Sequence, residues 1–314
     1  MASIATGSLV ANVIDQSLDL LLGSARENLN ITSSGVAVTD TVINLGYVPG
    51  AIQQGTYIEI DQELMYVWSS TTSATVGTVT VQRGMRSTAA VAHGANTLVR
   101  VNPYFPRYQV ANAIQAEIGS WGPQLYRVNT INIPLVNYVA GYDLGVLGDF
   151  HRIIDVRESP DLELGYVSDQ AWARIKWEVL QAAPRSQFPS GNALFIVDPL
   201  GVWDSPQTNP RTVHVIYAAP FNFNIPFVEN TDVVAQVGVD PNELDIIPYG
   251  VGFRLLQGRE ARRALTENMG APNTATAVPP MYASQASAAF KKIRDDRIGD
   301  AMVRLMTKYG VRGK

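Results

Sequence analysis

Hydrophobic residues recur at helical spacing in four separate stretches of the chain. The first stretch stops at Gly23, the second starts at Pro106 and the third is closed by a Gly-Ala-Pro sequence, all residue types that suit those helix ends. The fourth stretch is amphipathic, with lysine and arginine on its polar side. The predicted helices are residues 8–23, 106–121, 251–269 and 284–309.

Between these helices the pattern changes to short runs rich in Val, Ile, Thr and aromatic residues, separated by Gly, Pro, Ser and Asn. The predicted strands of the first block are 36–43, 56–60, 64–68, 78–81 and 97–101. Those of the second block are 126–139, 150–156, 171–179, 193–197 and 212–218. The second block is typical of an antiparallel β-sandwich.

The order of these elements predicts an α+β, β-rich fold. Strands do not alternate with helices, so a doubly wound sheet is not expected. Each amphipathic helix needs an apolar partner, which favours a helical bundle carrying a small β-domain and a larger antiparallel β-sandwich. The predicted segments are an N-terminal helical segment (1–30), the small β-domain (31–103), a bundle helix (104–124), the β-sandwich (125–248) and a basic C-terminal helical segment (249–314).

The amino-acid composition excludes several classes of protein for this chain. The chain has 314 residues, enough for one large domain or two ordinary ones, and it contains no cysteine. Disulfides, thiol nucleophiles and cysteine-built zinc sites are therefore excluded. No run approaches the roughly 20 apolar residues that span a bilayer, and the first ten residues lack a secretory signal pattern. We expect folding in a reducing cytoplasm and no membrane partner.

Charge is distributed unevenly along the chain. Residues 1–249 contain 12 Lys and Arg against 23 Asp and Glu, a net charge of −11. Residues 250–314 contain 12 against 5, a net charge of +7, which leaves −4 for the whole chain. Such asymmetry points to an electrostatic contact with a partner, either nucleic acid or an acidic protein surface.

The basic residues of the last two predicted helices are the candidate contact residues. They could bind phosphates with release of counterions, or an acidic protein. The simpler interpretation is a solvated face, partly neutralised by i,i+4 pairs such as Asp300 with Arg304. The candidates are Arg259, Arg262, Arg263, Lys291, Lys292, Arg294, Arg297, Arg304 and Lys308.

The sequence offers little for catalysis. It has no Gly-x-Ser-x-Gly elbow, no His-Glu-x-x-His pair, no calcium loop and no phosphate loop, and the Gly-x-Gly at Gly250 is isolated. The histidines are His93, His151 and His214. We interpret His93 as a turn residue and His214 as a cross-strand hydrogen-bonding residue. We expect no catalytic residue, no cofactor and no bound metal.

Residues 55–101 contain a spaced pattern of charged, apolar and glycine residues. The pattern is I-x-I-D-x-E-x-M-x-V from Ile58, then V-x-R-G from Val81, then A-H at Ala92. It resembles a β-module of neck, tail and baseplate proteins of tailed bacteriophages. Gly84, the glycine of this pattern, suits a turn or bulge with positive φ.

Two further stretches extend the resemblance over most of the chain. Residues 172–217, with a Trp-rich strand and a Phe-Pro-Ser-Gly turn, resemble β-sandwiches of virion structural proteins. Residues 258–314, from Gly-Arg-Glu-Ala-Arg-Arg through Pro-Pro to the basic helix, resemble the helical part of neck proteins that dock below a portal ring. The resemblance implies a virion structural protein, made in the host cytoplasm, of the head-to-tail adaptor or connector type.

Such an adaptor is expected to be a homo-oligomeric ring of about 12 subunits, not an enzyme. Its partners would be the portal protein and tail or neck proteins, with a possible contact to packaged DNA. Two alternatives stay open. The first is a tail, baseplate or capsid decoration protein whose sandwich contacts the host, which an exposed aromatic patch on a β-domain would favour. The second is a hydrolase or lyase, which a deep pocket joining distant acids would favour.

Overall fold

The computed structural model describes residues 7–23, 27–46, 52–72, 77–134, 139, 141–158, 173–197, 212–268 and 282–309. These residues form a mixed helix-and-sheet structure, in agreement with the predicted α+β class, and the strand pairings in it are antiparallel. The chain divides into two compact units. The first contains Met1–Ser120 and Asn222–Gly299, and the second contains Trp121–Phe221 and Asp300–Lys314.

Four α-helices lie close to the predicted ones. They are α1 (Val10–Leu22), α2 (Arg107–Gly119), α3 (Ile246–Asn268) and α4 (Tyr282–Tyr309). Helix α3 begins earlier than predicted because Pro248 lies in its first turn, where a missing N–H costs no hydrogen bond. Helices α1, α2 and α3 contact one another in pairs. Among the described helices, none combines the length and the apolar character needed to cross a membrane.

Six strands of the first unit form one antiparallel sheet. They are β1 (Asn28–Ile31), β2 (Val42–Leu45), β3 (Tyr57–Ile60), β4 (Glu63–Thr72), β5 (Gly77–Gln82) and β6 (Leu98–Val101), in the order β1-β6-β3-β4-β5-β2. The two end strands also meet, because Thr32 forms an antiparallel bridge with Leu45. Beside this bridge the amide of Gly46 donates to the carbonyl of Ile31 at 2.8 Å. Among the described residues the sheet therefore closes on itself at this bridge.

Apolar side chains of alternate residues fill the interior of this closed sheet. They are Val36, Ile43, Leu45, Ile52, Ile58, Ile60, Met65, Val67, Val79, Val81, Val99 and Val101. The predicted strand 36–43 is only partly correct, because β2 begins at Val42 and Val36 forms an isolated bridge with His93. Strand β1 was not predicted, since its residues fall in the segment assigned to the N-terminal helix.

Seven strands of the second unit form two smaller antiparallel sheets. They are β7 (Arg127–Pro134), β8 (Gly141–Asp143), β9 (Arg152–Glu158), β10 (Ala173–Arg174), β11 (Lys176–Gln181), β12 (Asn192–Val197) and β13 (Thr212–Ala219). The orders are β10-β9-β13-β7 and β11-β12-β8. Side chains of both sheets, such as Val156, Leu194 and Val213, belong to one hydrophobic cluster.

Two details of the second unit bear on the sequence predictions. The predicted strand 171–179 is divided between the two sheets, because β10 pairs with β9 whereas β11 pairs with β12. His214 has the predicted cross-strand role: its Nδ1 lies 2.7 Å from Oδ1 of Asn132, the residue opposite it on β7. Trp172 and Trp203 lie outside the described residues.

A buried carboxylate connects three helices of the first unit. Glu117 of α2 is fully buried, and its Oε2 accepts a hydrogen bond from Nε of Arg254 of α3 at 2.8 Å. Its Oε1 accepts from Nε of Arg294 of α4. A buried charge is stable only when it is paired, so this arrangement holds α2, α3 and the part of α4 that belongs to the first unit together. A single bundle of all four helices stays a prediction.

The isolated Gly-x-Gly of the sequence lies at this contact. A Cβ placed on Gly250 would lie 2.1 Å from Cδ of Glu117, and one placed on Gly252 would lie 2.7 Å from the ring of Phe290 on α4. Both distances are far shorter than van der Waals contact. The two glycines therefore allow α3 to approach α2 and α4 closely.

We predict that Gly250→Ala destabilises the protein by about 2 kcal/mol or more, because the added methyl group displaces Glu117 from its two arginines. Helix propensity alone predicts the opposite sign, since alanine is favoured over glycine by about 1 kcal/mol in a helix interior. Urea-induced unfolding measures the difference.

The matched control is Gly258→Ala in the same helix, where nothing lies within 4 Å of the added Cβ. This variant should be slightly more stable than the wild type. Equal effects of the two substitutions would show that the Glu117 contact does not require glycine.

Candidate functional site

The charged residues of the sequence module meet at one end of the closed sheet. Glu63 and Arg83 continue the alternation of the inward-facing residues of β4 and β5, such as Met65 and Val81. Both side chains are almost completely buried. A charged pair therefore ends the apolar interior.

Five hydrogen bonds hold the carboxylate of Glu63. Arg83 donates two of them, from Nε to Oε1 and from Nη2 to Oε2, each at 2.6 Å. The amides of Gly84 and Val91 donate at 3.2 and 3.1 Å, and Nε2 of His93 lies 2.9 Å from Oε2. Burial raises the pKa of Glu63, but the hydrogen bonds from Arg83 and His93 outweigh it and lower this pKa to about 2.

His93 lies between two carboxylates. Its Nδ1 is 2.7 Å from Oδ2 of Asp61, and its Nε2 faces Glu63. Burial lowers the pKa of His93, but the hydrogen bonds to the two acids outweigh it and raise this pKa to about 9. At neutral pH the ring is therefore an imidazolium that donates both N–H groups, which is the wrong protonation state for a general base. The interpretation of His93 as a turn residue missed this role of its side chain.

The network also holds the loops that cover this end of the sheet. Nη1 of Arg83 donates to the carbonyls of Ala37 and Asp40 at 2.8 and 3.1 Å, and Nη2 donates to that of Val91 at 2.5 Å. Gly84 has φ 64°, as the sequence predicted. The conspicuous residues of the module thus form a structural network with paired charges.

A second polar site lies on the outer side of the closed sheet. It is a cavity of about 220 Å³, called the acidic pocket below, lined by Asp15, Glu59, Asp61, Leu98, Arg100, Arg107 and Glu229. Arg107, the first residue of α2, forms ion pairs with Asp15 and Glu229. Its amide donates to Oε1 of Glu59 at 2.6 Å.

Glu59 is the most unusual group of the acidic pocket. It is only 1% exposed, and its Oε2 has no hydrogen-bond partner among the described residues; Nη1 of Arg100 has none either. Burial raises the pKa of Glu59 to about 8, although the amide of Arg107 and the charge of Arg100 oppose this. Glu59 is therefore mostly neutral at pH 7 and keeps one oxygen available for a further partner.

A larger pocket of about 610 Å³ brings together three acids that are distant in sequence, Asp61, Glu63 and Glu229. Each is already in an ion pair, Asp61 with His93, Glu63 with Arg83 and Glu229 with Arg107. A general acid needs a raised pKa, whereas the pKa of Glu63 is lowered. Within the described ranges, no group of three His, Asp or Glu side chains is arranged to hold a metal ion.

The candidate contact residues on α4 have different environments. Arg294 is bound to Glu117, Asp295 and Ser120, so it has an internal role. Arg297 pairs with Asp245 at 3.0 Å.

The other basic residues of α4 are exposed: Lys291, Lys292, Arg304 and Lys308. Two of these side chains also lie near aromatic rings, Lys291 at 6.0 Å from the ring centre of Phe253 and Lys308 at 5.1 Å from that of Tyr309. The side chains of Arg259, Arg262 and Arg263 lie outside the described residues. The contact role of the basic residues stays a prediction.

No protein-family model matches this chain, and a comparison with curated proteins finds no match. Inference about function therefore depends on the residues and contacts described above.

We predict that the stabilising contribution of His93 falls as pH rises from about 6.5 to about 9. Glu59, whose pKa is raised from 4.5 to about 8, lowers stability over a partly overlapping range, so the His93 contribution is read from the comparison with a His93 variant. The pKa of His93 is raised from 6.5 to about 9 by folding, so its stabilising contribution is complete below 6.5 and is lost as pH passes 9. The pKa of Glu63 is lowered from 4.5 to about 2, so its contribution is complete above 4.5 and is lost in acid. Urea-induced unfolding at several pH values measures the loss of stability on the alkaline side and on the acid side.

The control is His93→Gln, which keeps a hydrogen-bonding side chain but cannot carry the charge. The decline in stability on the alkaline side should be smaller in this variant. An identical pH dependence in the two proteins would contradict the assignment, as would an NMR titration of the His93 ring near 6.5.

Proposed function

We propose that this protein is a structural component of a tailed bacteriophage virion, a head-to-tail adaptor that forms a ring between the portal protein and the tail. The observation that carries the proposal is the network of Asp61, Glu63, Arg83 and His93. These are the residues through which the chain resembles the β-module of phage neck, tail and baseplate proteins, and their charges are paired. The pairing of their charges supports a structural role for this β-module.

The distribution of charge supports assembly into a ring. A ring requires a heterologous interface, in which each subunit presents two different complementary surfaces. The acid excess of residues 1–249 and the basic excess of residues 250–314 provide opposite charges within one chain. Complementary charge of this kind steers and orients association.

The contacts between the helices also support the proposed ring. Helices α1, α2 and α3 contact one another, and Glu117 connects α2 with α3 and α4. We propose that the helices form a bundle that carries the closed sheet and a β-sandwich made by the sheets of the second unit. Exposed basic residues of α4, such as Lys291 and Lys292, would then contact a neighbouring subunit, the portal protein or packaged DNA.

A structural role also accounts for the acids better than catalysis does. The acids of the larger pocket are in ion pairs, and His93 is protonated at neutral pH. The acidic pocket contains an acid of raised pKa, but its volume of about 220 Å³ is below the roughly 300 Å³ of small ligand sites. The hydrolase alternative therefore has no acid-base pair in the described part of the chain.

One observation favours a second candidate function, contact with a host carbohydrate. Three aromatic residues form a row on the outer side of β3 and β4. Tyr66 packs edge to face against Tyr57 and Trp68, with ring centres 5.5 and 5.0 Å apart, and Trp68 is 51% exposed. An exposed indole can stack on the apolar face of a sugar ring. This row lies on the small closed sheet, not on the predicted sandwich.

The adaptor proposal predicts that the purified protein is a closed ring, or becomes a multimer when the portal protein is added. Native mass spectrometry of the protein, alone and with the portal protein, measures this. A monomer or trimer that is indifferent to the portal protein would contradict it. Lys291→Glu with Lys292→Glu should weaken assembly by about tenfold, because both lysines are exposed.

Arg294 is left unchanged in this test because its loss would disturb Glu117. The control is Lys176→Glu at an exposed position of β11, compared with the single variant Lys292→Glu, which changes the net charge by the same amount. Equal effects at the two sites would indicate a dependence on net charge, not on the basic helix.

The carbohydrate candidate predicts that the wild type binds one or more members of a panel of bacterial surface polysaccharides and that Trp68→Ala does not. A glycan array reads out the binding. Val146→Ala, at another exposed apolar residue, serves as the control. Binding that survives Trp68→Ala would exclude the aromatic row as the site.

A further inference from the structure

The larger pocket of the first unit has the size of a ligand site. Its volume of about 610 Å³ lies within the roughly 300–1,000 Å³ that is usual for sites of small ligands. Three segments of the first unit line it: the loop 86–91, the first half of α2 and residues 227–230. The acids of the lining are held in ion pairs, so the chemistry open to a ligand depends on the other lining residues.

Arg86 is the cation of this pocket. Its side chain is exposed, and its guanidinium carbon lies 5.3 Å from the ring centre of Tyr57, a cation–π contact. A hydrogen bond with the hydroxyl of Tyr108 raises the pKa of Arg86 above its usual value. Among the described residues, the partners of Arg86 are these two tyrosines and no acid. The two tyrosines therefore position a guanidinium whose charge is open to a carboxylate.

The backbone at Arg86 is strained. Arg86 and Ser87 have φ 54° and 67°, so two successive residues other than glycine are in the left-handed region. Thr88 holds this turn, because its Oγ1 donates to the carbonyl of Met85 at 2.8 Å and accepts from the amide of Leu64 at 3.1 Å. Backbone strain of this kind is concentrated at positions that bind ligands. The strained turn places Arg86 and Ser87 in the lining of the pocket.

The remaining lining residues combine amide groups with an apolar surface. Asn112 of α2 and Asn230 are exposed, and each amide both donates and accepts hydrogen bonds, which suits the hydroxyl groups of a ligand. Nε2 of Gln62 is buried without an acceptor among the described residues. Phe227 and the half-exposed Val228 provide the apolar surface. This lining matches a ligand that has several hydroxyl groups, an acidic group and an apolar face.

Arg86 also connects the pocket with the aromatic row. The row is formed by Trp68, Tyr66 and Tyr57, and the guanidinium of Arg86 lies over the ring of Tyr57. Because Arg86 is also bonded to Tyr108 of the pocket, the row and the pocket belong to one surface of the first unit. This surface offers an exposed indole at one end and a guanidinium with amide groups at the other.

We propose that the aromatic row and the larger pocket together bind an acidic polysaccharide, with a carboxylated sugar residue in the pocket. The proposal rests on the second candidate function above, contact with a carbohydrate, and names the class of carbohydrate. The sugar carboxylate accepts two hydrogen bonds from Arg86. Its hydroxyl groups bond to Asn112 and Asn230, and a neighbouring sugar residue stacks on Trp68.

Two other polymers fit this surface less well. A single-stranded nucleic acid needs a positively charged groove along its backbone. Residues 1–249 instead carry a net charge of −11, and the pocket contributes one arginine without an acid partner among the described residues. An acidic peptide would pair with Arg86 but makes no particular use of an exposed indole beside it.

The experiment compares acidic polymers with their neutral methyl esters by affinity electrophoresis of the full chain. The probes are polygalacturonate, alginate, hyaluronate and polysialic acid, with polyglutamate and oligothymidylate as the peptide and nucleic-acid probes. A methyl ester keeps the sugar backbone and removes the charge. We expect the wild type to bind one or more of the acidic polysaccharides about tenfold or more tightly than the corresponding ester.

Arg86→Gln tests the guanidinium. This variant should bind the acidic polysaccharide about tenfold or more weakly, because the bidentate contact with the carboxylate is lost. The control is Lys176→Gln, which removes the same single charge at an exposed position of the second unit and should leave binding unchanged. Equal losses in the two variants would overturn the inference in favour of a dependence on net charge.

Asn112→Asp tests the pocket with Arg86 in place. The new carboxylate would repel the acidic sugar or pair with Arg86, so binding should again fall about tenfold, whereas Asn112→Ala should have a smaller effect. This variant decides the question if Arg86→Gln changes the unfolding midpoint. Binding that is unaffected by Asn112→Asp would overturn the inference.

Other outcomes separate this inference from the carbohydrate candidate. Equal binding of acidic polymers and their esters, lost in Trp68→Ala and kept in Arg86→Gln, would overturn the acidic sugar and leave the carbohydrate contact. Tighter binding of polyglutamate or oligothymidylate than of any polysaccharide would overturn it in favour of a peptide or a nucleic acid. Absence of binding to every polymer would overturn both.

Discussion

The buried ion pair of Glu63 and Arg83 is the interaction on which the closed sheet depends. Removing a carboxylate and a guanidinium from water costs several kcal/mol for each ion, and only close pairing with further hydrogen bonds offsets that cost. Arg83 provides a planar, bidentate contact and three further donations to backbone carbonyls. Lysine could not reproduce this geometry. The same guanidinium therefore compensates the acid and holds the covering loops.

Three buried glutamates of the first unit show how the degree of compensation differs between sites. Glu63 has five hydrogen bonds and a lowered pKa. Glu117 is bound by two arginines from different helices. Glu59 has one bonded and one open oxygen and a raised pKa. The hydrogen bonds of the fold account for the first two, whereas Oε2 of Glu59 has no hydrogen-bond partner among the described residues.

The sequence predicted elements that depend on local pattern and missed those that depend on distant partners. Helical periodicity placed all four helices, and alternation placed most strands. Strand β1 was missed because its apolar residues face outward, which reverses the expected pattern. The run 171–179 was predicted as one strand because nothing in its composition marks the change of sheet at Ile175.

The site could be predicted only in part for the same reason. The spacing of Asp61, Glu63, Arg83 and His93 was recognised, but that the four side chains meet follows from the closure of the sheet. Arg294 was selected for its charge, although it is bound to an acid 177 residues away in sequence. In the sequence, Gly250 is part of an isolated Gly-x-Gly motif with no evident role. Its role depends on Glu117 of α2, whose carboxylate occupies the space that a side chain at position 250 would need.

Net charge alone would overstate the role of electrostatics in assembly. Arg294 and Arg297 are paired within the chain, so part of the basic excess is not available to a partner. Exposed ion pairs contribute only about 0–1 kcal/mol each, and complementary charge acts mainly on the rate and orientation of association. Stable contact between subunits requires apolar burial at the centre of the interface. For the proposed ring, the exposed apolar residues Leu29, Ile31 and Leu98 of β1 and β6 are candidates for that burial.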